Sequence, residues 1–176
     1  MTPRCVPCDF DPEEKGIYTI VLRLRGDAIV EVGSLGPVTF RAGWYAYTGS
    51  ARGTGGFKRV LRHIAVMEGV NVTRRWHIDR LLPLAELEEV VATPTGEDLE
   101  CSIARRIGEG FPSVRGFGSS DCSCPSHLSF SCGVEIVQAV REAHASASSS
   151  SSSSASVEPS NSIPGPSGGG RRDGVI

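Results

Sequence analysis

The sequence predicts an α+β fold: a small, mostly antiparallel sheet with flanking helices, ahead of a disordered C-terminal tail. Three observations lead there. The segments GIYTIVLRLR and GWYAYTG are rich in β-branched and aromatic residues and are bounded by glycines. The segments FKRVLRHIAVME and EDLECSIARRI carry apolar residues at helical spacing. From Ser146 onward serine, glycine and proline dominate, and such a stretch has too little to bury to offset the entropy cost of ordering.

The elements follow in order. Residues 16–25 form a first strand, and Gly26-Asp27 turns it back into AIVEVG as a hairpin. SLGPVTF is an interrupted β segment. GWYAYTG is a further strand, ended by the glycine-rich SARGTGG. In the helix that follows, Phe57, Val60, Leu61, Ile64 and Met67 share one face, with Gly69 as the stop. WHIDRLLP reads as a short helix and LEEVVAT as a strand. A second long helix begins near Glu97, with Leu99, Ile103 and Ile107 stacked. A long glycine- and cysteine-rich loop, EGFPSVRGFGSSDCSCPSHLSFSC, then leads to a last helix near GVEIVQAVREAHA. The expected organisation is an N-terminal extension with Cys5-x-x-Cys8 over 1–15, a folded domain over 16–145, and a disordered tail over 146–176.

With 176 residues the chain holds one ordinary domain and a tail. Its formal charge is −2, so nucleic-acid affinity has to come from a local patch. No apolar run approaches the ~20 residues that cross a bilayer, and the N-terminus lacks the apolar core of a signal peptide. The expectation is a cytoplasmic protein without membrane contact. In that reducing setting metal binding or burial outweighs disulfides for its six cysteines.

Chemistry concentrates in a few places. Between residues 52 and 75 stand Arg52, Lys58, Arg59, Arg62, Arg74 and Arg75, against the single acid Glu68. This is a phosphate-binding patch or a solvated basic helix face. Arg59 and His63 lie one turn apart at the edge of an apolar stripe, where both lean toward the sheet. The glycines ahead of that helix allow close backbone approach to a ligand, and its N-terminal N–H groups favour an anion. Glu100 falls beside Ile103, Ala104 and Ile107 on a sheet-facing stripe. A carboxylate there needs a paired arginine or a metal, and Mg²⁺ often takes only one or two protein carboxylates. Tyr18, Tyr45 and Tyr47 lie on strands; a tyrosine serves as a base only where positive charge lowers its pKa, and the Arg59 region is the source at hand. Asp121, Cys122, Cys124 and His127 sit in DCSCPSH. Cys122, Cys124 and His127 offer three soft ligands that Cys5 and Cys8, or Cys132, complete as a Zn²⁺ site; the alternative is reduced cysteines lining a loop. His77 and Asp79 in WHID are either a pair in a site wall or residues buried beside Trp76.

The triplets GIY at residues 16–18 and YTG at 47–49, a helix with Arg59 and His63, and a later helix with Glu100 resemble the GIY-YIG nuclease superfamily. The longer runs, through RVLRHI, WHIDRLL, LEC and GFGSSDCSCPSHL, look like the branch of it labelled domain of unknown function 123, sometimes fused to endonuclease III-type repair enzymes. The resemblance spans about residues 16–130. It implies a nuclease in which Tyr18 is the general base or positions water and Tyr47 supports it. Arg59 then binds the scissile phosphate, His63 assists, and Glu100 holds Mg²⁺ or Mn²⁺. DNA is the favoured substrate, with a DNA-repair protein as partner. In this sequence Thr48 replaces the usual isoleucine, the twenty-eight residues between Tyr18 and Tyr47 are expected to hold an extra hairpin, and the Cys/His-rich loop stands where a late asparagine is common. The alternatives are a non-catalytic nucleic-acid-binding module on the same scaffold and a zinc-stabilised interaction domain.

Overall fold

The computed structural model describes residues 10–151. In chain order they form β1 (Gly16–Leu24), β2 (Ala28–Glu31), β3 (Pro37–Phe40), β4 (Gly43–Ser50), α1 (Lys58–Met67), α2 (Ile78–Leu81), β5 (Glu86–Pro94), α3 (Glu100–Gly110), β6 (Leu128–Ser131) and α4 (Glu135–Ser151). Four strands make the main sheet in the order β5-β1-β4-β6, antiparallel at every pairing. The α+β class with a small antiparallel sheet is therefore as the sequence predicts.

Helices cover both faces of this sheet. On one face Tyr18, Ile20, Leu22, Tyr45 and Tyr47 pack with Phe57, Val60 and Val66 from the α1 region and Ile78 and Leu81 of α2. On the other, Ile17, Val21 and Ala46 pack with Ile103 and Ile107 of α3 and with Ile136 and Val140 of α4. A central strand covered on both sides has no wet face, so β1 is buried at every position but Arg23, which is half-buried.

Several expectations change in three dimensions. β1 and β2 are not a hairpin. Both edges of β1 are taken, by β4 and β5, so β2 pairs with β3 in a separate two-stranded sheet. That small sheet is the extra hairpin expected between Tyr18 and Tyr47. On α1 the buried residues are Val60, His63 and Val66, while Leu61 is 42% exposed, so a histidine occupies a core position and a leucine faces water. The long loop contains β6, which adds an edge strand along β4. α3 starts at Glu100, and α4 runs on to Ser151, past the expected tail boundary, with Ala147 buried. The remainder of the expected tail lies outside the described residues, as do Cys5 and Cys8. Among the described residues no helix is long and apolar enough to cross a membrane.

The N-terminal extension is partly integrated. Phe10 stacks on Phe57 at 5.2 Å, and the N–H groups of Phe57 and Lys58 donate to the carbonyls of Glu14 and Pro12. Gly56, at φ +52°, leaves room for this: a Cβ there would stand 2.5 Å from the Glu14 carbonyl oxygen. The glycine-rich turn thus admits the chain's own residues 12–14. The α1 N-terminus is capped by them and is not open to an anion.

A buried polar tie joins α4 to the sheet. His144 Nε2 lies 2.8 Å from Thr19 Oγ1 and its Nδ1 2.8 Å from Thr93 Oγ1. Burial lowers its pKa from 6.5 to about 4. Because the unfolded chain binds this proton first, the contribution is intact above about pH 6.5 and is lost as pH falls toward 4. The full loss is about 3 kcal/mol. Urea unfolding at pH 7 and pH 4 should show a steeper acid loss for the wild type than for His144→Asn; equal losses would rule out this origin.

Candidate active site

The sheet face under α1 carries a polar chain in an otherwise apolar layer. Tyr18 is buried, and its hydroxyl lies 2.9 Å from His63 Nε2. His63 Nδ1 in turn lies 3.3 Å from Asp79 Oδ1, too oblique for an aligned hydrogen bond. That carboxylate favours the proton on Nδ1, which leaves Nε2 to accept from the Tyr18 hydroxyl. Asp79, fully buried, receives a two-pronged contact from Arg62, at 2.9 Å to each oxygen. The N–H groups of Arg75 and Trp76 also donate to Oδ2, at 2.7 and 3.0 Å. Burial raises the Asp79 pKa, but His63, Arg62 and the two N–H groups outweigh it and hold the carboxyl well below the usual carboxylate range.

Burial also decides the tyrosines. It pushes the Tyr18 phenol well above 10, helped by Tyr47, and the opposing pull of Arg59 is smaller. The expected lowering by Arg59 therefore does not prevail, and the phenol is protonated at neutral pH. Tyr47 is raised for the same first reason, then by Glu100. Burial pulls His63 below 6.5 against Asp79, so the imidazole is neutral. Gly49 is fitted to this arrangement: it pairs with Tyr18 across the sheet, and a Cβ on it would lie 2.5 Å from the Tyr18 hydroxyl oxygen.

Above this layer opens a cleft of about 360 Å³, to which Tyr47, Arg59, Trp76, His77 and Glu100 all contribute. Arg52 and Arg75 add further guanidinium groups, and Asp98 and Asp121 further carboxylates. Tyr18 does not line it; the phenol stands behind Tyr47. Trp76 gives the basic residues a platform, with Arg59 at 4.9 Å, Arg62 at 4.4 Å and Arg75 at 5.6 Å from its ring centre. Among the described residues no carboxylate pairs with Arg59 or Arg75, whereas Arg52 lies 3.5 Å from Asp98. These two guanidinium groups are free to meet an anion.

The other expected phosphate contacts are dispersed. Arg62 is committed to Asp79, Lys58 pairs with Glu13 at 2.5 Å, and Arg74 donates to the Asn71 carbonyl. Of the proposed patch, Arg52 and Arg75 reach the cleft beside Arg59. His77 lines the cleft wall and accepts from the Gly118 N–H through Nδ1, while its expected wall partner Asp79 is buried beside Trp76. Tyr45 lies apart, donating to the Arg41 carbonyl.

Glu100 is the first residue of α3, with its side chain 24% exposed. Its Oε1 lies 3.3 Å from His127 Nδ1, so the neighbour of this carboxylate is an imidazole and not an arginine. Behind it, Cys101, Cys122, Cys124 and His127 place their ligand atoms within 4.8 Å of one another, a group able to hold a metal ion. His127 Nε2 is 3.3 Å from the Cys122 sulfur and 3.9 Å from that of Cys101. Burial, then Cys124 and Cys122, push the Cys101 thiol up. For His127 the upward pull of Glu100 and Cys122 outweighs burial and raises the pKa. The expected trio Cys122, Cys124 and His127 is thus assembled, but its fourth member is Cys101. Cys132 is exposed and outside the group. Asp79 as hub and Cys101 as fourth ligand are what sequence reasoning missed. A carboxylate in an apolar short helix marks the first; nothing in the spacing marks the second.

Fold and cleft together define a compact α+β domain with a mixed-charge site beside a cysteine–histidine cluster. The family model described as Domain of unknown function DUF123 matches residues 17–149, and the chain belongs to that family. No curated protein and no solved structure matches it.

Two substitutions test the buried frame. Asp79→Ala leaves a guanidinium and two N–H groups without their acceptor and should cost about 3–5 kcal/mol in urea unfolding. Gly49→Ala forces a methyl against the Tyr18 hydroxyl and should cost about 1–3 kcal/mol, with the sheet retained by circular dichroism.

Proposed function

We propose that this domain is a divalent-metal-dependent nuclease of the GIY-YIG kind, with DNA as the favoured substrate and an association with repair. The observation that carries the reading is the meeting of Arg59, Tyr47 and Glu100 in one cleft, with Tyr18 and His63 stacked directly behind. Arg59 and His63 share one turn of α1; the others stand apart in the sequence, and the set comes from two strands and two helices.

Each has a task in phosphodiester hydrolysis. Arg59, braced on Trp76 and unpaired, binds the scissile phosphate, with Arg75 and Arg52 extending the grip along the backbone. Tyr47 orients water at the cleft. Neutral His63 holds the Tyr18 proton in place and is the group able to receive it, with Asp79 steadying the resulting imidazolium. Glu100, Asp98 and Asp121 supply hard oxygen donors, which suit Mg²⁺ or Mn²⁺ with most of its waters kept. Glu100 would hold such an ion, which would supply charge stabilisation to the reaction.

A non-catalytic nucleic-acid-binding module is the second reading, favoured by the burial and raised pKa of Tyr18. The thiol-rich cluster favours Zn²⁺ over a hard ion and is compatible with either reading, or with a zinc-stabilised interaction domain.

Incubation with nicked, branched and abasic DNAs plus Mg²⁺ or Mn²⁺ separates the two. The expected result is metal-dependent cutting that falls about 10²–10³-fold in Glu100→Ala and in Arg59→Ala, with folding intact. Salt-sensitive binding without cutting under any metal would leave only the binding module.

A further inference from the structure

We propose that Cys101, Cys122, Cys124 and His127 form a zinc centre that staples the start of α3 to the loop at 111–127 and, through His127, holds Glu100 in position. The centre itself does not depend on the nuclease reading; only its consequence for cleavage rests on that reading.

The loop at 111–127 is the part such a staple would hold. It lies between α3 and β6, and its largest fully buried apolar side chain is Phe117. Yet Gly118, Ser120 and Asp121 from this loop line the same cleft as Arg59 and Glu100. Three soft sulfurs and one imidazole nitrogen are the donors of a closed structural zinc site. With metal–ligand bonds of about 2.0–2.3 Å, ligand atoms of a tetrahedral site stand about 3.5–3.8 Å apart. Here they lie within 4.8 Å, so the widest pair has to close by about 1 Å, while His127 Nε2 and the Cys122 sulfur already stand 3.3 Å apart.

The second nitrogen of His127 supplies the link. Nε2 faces the thiols, while Nδ1 is buried, has no hydrogen-bond partner and lies 3.3 Å from Glu100 Oε1. An imidazole that gives its Nε2 lone pair to zinc keeps its proton on Nδ1. That N–H then has one acceptor at hand, the Glu100 carboxylate. A ligating histidine that donates its other N–H to a carboxylate is the usual way such rings are oriented. In this molecule the orientation acts in both directions. The ring is fixed by Glu100, and one Glu100 oxygen is tied back so that the other is free for the cleft. Glu100 and Cys101 are adjacent in sequence, so the first turn of α3 serves two centres at once.

The full chain, purified without added chelator, should carry one zinc per chain. X-ray absorption should report about three sulfurs at ~2.3 Å and one nitrogen at ~2.0 Å. Cys101→Ser should abolish stoichiometric binding, while Cys132→Ser and the double variant Cys5→Ser/Cys8→Ser should retain it. Zinc lost from the double variant but kept by Cys101→Ser overturns the assignment, as does a chain without zinc or a coordination sphere without nitrogen. Because Cys101→Ser could unfold the loop, the spectrum of the unmodified protein decides independently. For the link, Glu100→Ala should still bind one zinc at saturation but release it about 10-fold more readily to a competing chelator. Unchanged affinity overturns the link. Zinc bound as described in a protein that cuts no DNA supports the centre and defeats only the nuclease reading.

Discussion

A single buried carboxylate, Asp79, governs the arrangement of the candidate site. An ionised carboxylate without partners is prohibitively costly in an apolar layer, so its surroundings must supply donors. The Arg62 guanidinium and the backbone N–H groups of Arg75 and Trp76 donate to it, and His63 Nδ1 stands 3.3 Å away. Each contact fixes something further out. Arg62 locks α1 against the segment that leads into α2. The two N–H groups set Trp76 as a platform, and Arg59 rests on that platform. His63 is held in the core, where its other nitrogen meets Tyr18. The Tyr18 ring then requires a residue without a side chain at position 49. One charge thus propagates from the interior to the cleft wall.

This explains how neighbours of one helix come to differ in role. Arg59 and Arg62 share α1 and both face Trp76, but among the described residues only Arg62 is paired with an acid. The buried acid absorbs one guanidinium completely and leaves the other unneutralised at the surface. The tyrosines divide in a similar way. Tyr47 reaches the cleft, while Tyr18, one strand inward, is shut away and its phenol is kept protonated by burial. The polar contact of the buried Tyr18 hydroxyl is with His63 Nε2, at 2.9 Å.

The cleft's opposite wall follows a different logic. It is built from the first turn of α3 and a loop with few apolar anchors, and it carries the oxygen donors Glu100 and Asp121. Immediately behind lies a cluster of sulfur and nitrogen donors. Hard and soft donors are segregated within one helical turn, Glu100 pointing one way and Cys101 the other, with His127 between them. The packing of α3 through Ile103 and Ile107 onto the far face of the sheet anchors this turn.

Periodicity and composition alone determined the α+β class, the positions of β1, β4, α1, α3 and α4, the tyrosines of the sheet, and the candidacy of Arg59, Glu100 and the trio Cys122, Cys124 and His127. These are local properties: a strand or helix announces itself through which neighbours are apolar, and a ligand cluster through its spacing. Strand partnership was not legible, because β1 looks the same whether its neighbour is β2 or β4, and only the occupancy of both its edges decides. His63 reads as an edge residue of the α1 apolar stripe, leaning toward the sheet, and its full burial follows only once Tyr18 and Asp79 are placed around it. Asp79 and Cys101 acquire their roles from side chains remote in the chain, as does the capping of α1 by residues 12–14. What tertiary structure decided, then, was every feature that depends on desolvation or on contact between distant segments. Neither the dielectric around a group nor the identity of its neighbours across the fold is written in a local stretch of sequence.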